Sequence, residues 1–158
     1  DMKKPAGFTL VELMVTLAVL AIMLSIAAPS FLGMMDDSRA TTATNDLVSA
    51  LQLARSEAIK QRQTITVCRR NASGSDCDAG TAWGAGWLVR SPQRVLQVWG
   101  ASNASLTATV ATITFNAGGR ASTAVTYTVK AGSGDKASCR EVTVSATGRV
   151  TSKKPETC

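Results

Sequence analysis

The dominant constraint on this chain is a run of twenty-one residues, Phe8 to Ala28 (FTLVELMVTLAVLAIMLSIAA), apolar almost throughout yet carrying one carboxylate, Glu12. As a helix rising about 1.5 Å per residue, such a run covers about 31 Å, close to the ~30 Å hydrocarbon thickness of a bilayer. The run therefore spans a membrane as a single helix. A carboxylate inside it costs about 2.5–3.5 kcal/mol even on lenient insertion scales, so Glu12 has a partner or a task. Lys3 and Lys4 precede the run, and a short basic flank stays on the cytoplasmic side, which sends the rest of the chain outward. A cleaved secretory signal would have a shorter apolar core of 7 to 15 residues and no acidic residue, so a retained anchor is expected.

The remaining length of this 158-residue chain has room for one globular domain. Its net charge of +6 comes from scattered cations and permits contact with anionic lipid or nucleic acid without requiring either. Four cysteines, Cys68, Cys77, Cys139 and Cys158, follow the apolar run. With no histidine and no Cys-x-x-Cys spacing, neither a closed zinc site nor a thioredoxin-like pair is indicated. Two disulfides in an oxidising compartment are the better account. Three connectivities are open; the sequentially local one, Cys68 with Cys77 and Cys139 with Cys158, closes one loop and pins the tail, and is the expected one.

Beyond Pro29, apolar residues recur at intervals of three and four, at Ala40, Ala43, Leu47, Leu51, Ala54 and Ala58, with charged and polar residues between them. Proline kinks a helix without necessarily ending it, so the pattern predicts one long bent helix from Phe8 to about Gln61, with Gly33 adding local flexibility. Six β-branched segments follow, 64–69, 86–90, 94–99, 110–116, 125–130 and 140–146, and these read as strands. Val125, Tyr127 and Val129 alternate with threonines, as a sheet with one buried face requires. Loops are expected at 71–84, 116–121 and 131–138. Helix first and strands afterwards imply an α+β domain with antiparallel sheet. Trp83, Trp87 and Trp99 are assigned to helix-to-sheet packing.

Catalytic chemistry finds little footing. Without histidine there is no ordinary triad and no imidazole to activate a cysteine. Gly132, Gly134 and Ala137 fit the loose pattern G-x-G-x-x-A, but a strand follows where a phosphate-binding helix is needed, so they read as a hairpin loop. Asp76 and Asp78 lack the spacing of a calcium loop and read as a turn. No metal or cofactor is expected. Arg149, Lys153 and Lys154, with Arg140 near them in sequence, form a cationic tail that could neutralise phosphates, though without an aromatic residue to stack on bases.

The segment Gly7-Phe8-Thr9-Leu10-Val11-Glu12, followed by the apolar run, closely resembles the leader signal of type IV pilins and type II secretion pseudopilins. The resemblance implies that a prepilin peptidase cuts between Gly7 and Phe8 and methylates the new amino terminus. It makes Glu12 the fifth residue of the mature chain and Pro29 the helix-kinking proline. It also implies a role for Glu12, meeting the positive amino terminus of a neighbouring subunit so that two charges costly in lipid neutralise each other. Further along, Ile113 to Arg120, Val142 to Val150 and Trp83-Gly84-Ala85-Gly86-Trp87 are similar to motifs of the GspH/FimT/FimU branch.

The implied organisation is a leader at 1–7, a transmembrane and filament-core segment at 8–28, an amphipathic continuation at 29–62, and a disulfide-bonded sheet domain at 63–158. The implied function is that of a minor pilin placed near the tip of a type IV pilus, in the inner membrane before assembly. Its partners are other major and minor pilins or pseudopilins, and the prepilin peptidase. The alternatives are an H-type minor pseudopilin of a type II secretion system and a FimT-like DNA-binding subunit for natural transformation. For the last, Gly148, Arg149 and Val150 match the C-terminal Gly-Arg-x-Arg element, but Thr151 stands in place of its second arginine. A Cys158 bridged to Cys139 resembles the FimU type, with the tail tethered to the sheet.

Overall fold

The computed structural model describes residues 7–134, 137–156 and 158, with backbone alone at 27–29. Residues 1–6, including Lys3 and Lys4 and most of the leader, lie outside the described residues. One helix, α1, runs unbroken from Leu10 to Gln61 through Pro29 and Gly33, and it is bent. Thr9 caps its start, its hydroxyl accepting from the Glu12 amide at 3.2 Å. At the other end Arg62 turns into the left-handed region (φ 51°, ψ 39°) and donates its N–H to the Ala58 carbonyl, which stops the helix.

Eight strands follow: β1 (Ile65–Arg69), β2 (Trp87–Arg90), β3 (Val95–Val98), β4 (Ser105–Ala108), β5 (Thr112–Phe115), β6 (Val125–Ala131), β7 (Ser138–Val144) and β8 (Val150–Lys153). They form two four-stranded sheets, ordered β3-β2-β1-β5 and β4-β6-β7-β8, and all their pairings are antiparallel. The α+β fold, a long bent helix on antiparallel sheet, is therefore as the sequence indicates. Two strands are not in the six-segment reading. β4 is built from small residues, Ser-Leu-Thr-Ala, and only Leu106 and Ala108 face inward. β8 reads as tail because three of its four residues are polar and exposed; its register, Val144 opposite Val150 through Glu141 opposite Lys153, makes it an edge strand. An edge strand lacks the two-sided burial that would mark it in sequence.

The second half of α1 packs on strands of both sheets. Ala40, Ala43, Leu47, Ala50, Leu51, Ala54 and Ala58 are buried along one stripe, including all six residues of the recurring pattern. Across from them lie Ile65, Val67 and Val89 of the first sheet, and Val125, Tyr127, Val129, Val142 and Val144 of the second. The inward residues of β6 alternate with Thr126, Thr128 and Lys130, so one face of that sheet is core and the other faces away from it. Trp83, in a short 3-10 turn (Trp83–Ala85), and Trp87 are fully buried between helix and sheets, and Trp83 meets Tyr127 edge to face at 5.1 Å.

Five of the seven buried apolar stripe residues are alanine, so the helix backbone sits close on the sheets and has little room to grow. Replacing Ala54 with Leu is expected to destabilise the domain by about 1–3 kcal/mol through overpacking, read as a lower urea midpoint with unchanged slope.

Candidate functional site

Two halves of one helix have opposite surroundings. Between Phe8 and Met35, seventeen large apolar side chains are exposed, from Phe8, Leu10 and Val11 through Leu32, Met34 and Met35; elsewhere among the described residues only Ile59 and Val98 are. The apolar segment is long enough to cross a bilayer by length and composition, and none of it is buried within the chain. Gly7 and Phe8 precede the helix, exposed, and Pro29 lies inside it. Glu12 occupies the first turn, where the helix dipole favours negative charge. Among the described residues its carboxylate has no cationic partner. An exposed apolar helix that carries an unpaired carboxylate at its tip is shaped to meet other molecules.

The cysteines pair as Cys68–Cys77 and Cys139–Cys158, each with Cα atoms 5.6 Å apart. The first closes the loop in which Asp76 faces Arg90 and Asp78 lies 3.2 Å from Arg69, so both acids of the calcium-like sequence are spent on ion pairs. The second ties Cys158 to β7. Gly132 and Gly134 form the β6–β7 hairpin loop, both at positive φ.

The four cations singled out near the C-terminus are not gathered into one tail, because β8 fixes most of it to the sheet. Arg140 and Lys154 both reach Asp37 on α1, at 3.3 and 3.5 Å, and Lys153 pairs with Glu141 at 3.1 Å. Asp37 also accepts a 2.7 Å hydrogen bond from the Ser138 hydroxyl. This cluster latches the helix, just after its exposed half, to β7 and to the segment after β8. Nothing in the sequence marks it: Asp37 and Ser138 are 101 residues apart.

Arg149 stands apart from the other three, in a turn that has a twin. In the segment 116–120 (NAGGR) the Asn116 N–H donates to the Arg120 carbonyl at 3.0 Å, and the Gly119 N–H donates to the Asn116 carbonyl at 2.8 Å. The segment 145–149 (SATGR) repeats this, Ser145 to Arg149 at 3.0 Å and Gly148 to Ser145 at 2.8 Å. In each, the first side chain accepts from the arginine N–H, Asn116 Oδ1 at 3.1 Å and Ser145 Oγ at 3.2 Å. Gly119 (φ 73°) and Gly148 (φ 78°) are both left-handed and lie back to back, so a methyl group on Gly148 would overlap the Gly119 carbonyl. The same methyl would lie 3.3 Å from Arg55 Nε, and one on Gly119 would lie 3.2 Å from it. Arg120 and Arg149 thus close one pair of turns at the far end of α1, with Arg55 and exposed Ile59 against them. The repeated Gly-Arg pattern was the available signal for Arg120; Arg55 had none.

The family model described as type II transport protein GspH matches residues 43–148, more than half of the chain. The chain belongs to this family. A second model, the prokaryotic N-terminal methylation motif, matches residues 2–28. Two solved structures of the type IV minor pilin FimU from Pseudomonas aeruginosa PAO1 share the fold. One (space group P65) is 24% identical with a TM-score of 0.59, covering 75% of this chain and 98% of that one; the other (P21) is 23% identical with a TM-score of 0.60, covering 75% and 93%. Comparison with curated proteins gives no match. As a GspH-family chain with a methylation motif and the FimU fold, this is a type IV pilin-like protein, and its exposed half-helix is the segment that family anchors in membranes and builds into filaments.

The Ser138 hydroxyl, with Arg140 and Lys154 adding their charge and partial burial opposing, holds the Asp37 carboxyl below its ordinary value of 3.8. A depressed carboxyl stabilises the fold fully above its unfolded pKa, and that stabilisation disappears as the pH falls through the folded value. Asp37→Asn is therefore expected to lower stability at neutral pH, with the difference from wild type shrinking as the pH falls below 3.8, measured by denaturant midpoints across the acid range.

Proposed function

We propose that this chain is a structural, non-enzymatic subunit, a minor pilin that initiates or caps a type IV pilus near its tip. The observation that carries the reading is the division of α1, buried along one stripe against two sheets from Ala40 onward and, among the described residues, with every large apolar side chain from Leu10 to Met35 exposed and Glu12 unpaired. Before assembly the apolar half sits in the inner membrane as a single pass, with Lys3 and Lys4 on the cytoplasmic side and the disulfide-bonded domain in the periplasm. Prepilin peptidase cuts between Gly7 and Phe8 and methylates Phe8. The new amino terminus of a neighbouring subunit then meets Glu12, and the apolar helices trade lipid for one another, with Pro29 bending the segment that follows.

A second reading keeps the same chemistry in another filament, an H-type minor pseudopilin of a type II secretion system. The name of the matched family model favours it. DNA uptake through Arg140, Arg149, Lys153 and Lys154 has less support, since three of those four cations face carboxylates within the chain.

Mass spectrometry of the mature protein is expected to find Phe8 as the first residue, carrying one added methyl group. Glu12→Ala is expected to leave membrane insertion intact while the share of the protein in sheared filaments falls by about tenfold, the effect of losing ~1.4 kcal/mol of charge pairing. Unchanged incorporation of the variant would refute the assembly role. Loss of pilus function against loss of protein secretion on deletion separates the two filament readings.

A further inference from the structure

We infer that the twinned turns and the end of α1 form a docking site for an acidic segment of a neighbouring pilin-like subunit, with Arg55, Arg120 and Arg149 as its cations and Ile59 as its apolar centre. The inference rests on reading the chain as a filament subunit. Three observations carry it. Among the described residues none of these three guanidinium groups has an ion-pair partner; Arg62, Arg70, Arg94 and Lys130 also have none, but only Arg55, Arg120 and Arg149 are brought together on one pair of turns. Backbone geometry gathers them: Gly119 and Gly148 touch, each precedes an arginine, and Arg55 Nε lies against both. Ile59, 49% exposed, is one of only two large apolar side chains left open outside the 8–35 segment among the described residues.

The chemistry of the patch selects its partner. A guanidinium presents a planar fork of donors that fits a carboxylate bidentately, and three arginines on or against turns beside an apolar side chain match one or two carboxylates beside an apolar contact. A nucleic acid is a poorer fit. Strong phosphate-backbone binding draws on about 6–10 cations along a track, and the cations that would extend this one, Arg140, Lys153 and Lys154, already face Asp37 and Glu141. The patch lies at the end of α1 farthest from its apolar segment, so a subunit docked there leaves the membrane-side helix free for its own packing. Left-handed glycines fix both turns, so the arginines are presented on a rigid frame and little ordering is needed on binding.

The test uses the full chain in detergent micelles, titrated with a fluorescent hexaglutamate peptide and, separately, with a fluorescent 12-nucleotide single strand. Arg120→Ala combined with Arg149→Ala is expected to weaken peptide binding by about tenfold, while Lys130→Ala, a cation lost at the opposite end of β6, changes it less than twofold. Circular dichroism confirms that each variant keeps its fold. Equal effects of the two variants, or nucleotide binding tighter than peptide binding and lost with the same arginines, would overturn the proposal. In cells, Arg120→Glu with Arg149→Glu is expected to reduce filament incorporation, and a compensating acidic-to-basic change in another subunit is expected to restore it; unchanged incorporation also overturns the proposal. The peptide titration does not depend on filament membership. Its outcome therefore separates failure of the patch from failure of the assembly reading, which the Glu12 variant tests.

Discussion

The contact on which everything else depends is the seating of α1, from Ala40 to Ala58, on two sheets at once. The helix supplies mostly methyl groups, and the sheets with the 3-10 turn before β2 supply the bulk: Trp83 from the turn, and Trp87, Phe115 and Tyr127 from the strands. This inverts the commoner arrangement, in which the helix projects large side chains into a sheet. Leu47 and Leu51 alone contribute about 1.5–3 kcal/mol each on burial. The closeness of the helix to the strands then gives the backbone turns at its end direct contact with Arg55 and Ile59. It also lets Asp37 reach Ser138 and Arg140 across the helix–sheet boundary.

That seating divides the molecule's labour without a linker. The exposed half of α1 continues the same helix that the sheets hold, with no loop between the two. The Asp37 cluster stands at the crossing point. With the Cys139–Cys158 bridge next to it, the C-terminal segment is fixed to the base of the rod and not left to move as a basic tail.

The long helix and its buried stripe were legible because burial on one side leaves a period of three to four in the sequence, as Ala40, Ala43, Leu47, Leu51, Ala54 and Ala58 show. The leader motif was legible because an enzyme must read it as linear sequence, Gly7 to Glu12. β4 and β8 were not legible. Small or edge-placed residues do not alternate strongly, and Ser105 to Ala108 and Val150 to Lys153 owe their pairing to neighbours and not to their own composition. The ion pairs were invisible for a different reason. A lysine or arginine in sequence carries no mark of the carboxylate it will face, so Arg140, Lys153 and Lys154 looked free until Asp37 and Glu141 were placed opposite them.

The back-to-back turns carry a consequence for how this chain can change. Gly119 and Gly148 are 29 residues apart, on different hairpins of different sheets, yet a side chain on Gly148 would strike the Gly119 carbonyl and one on Gly119 would strike Ile59. Gly148 is therefore held to glycine by a backbone atom of the other hairpin. The two sheets are joined at that end by a contact between main chains that no exchange of side chains elsewhere can retune.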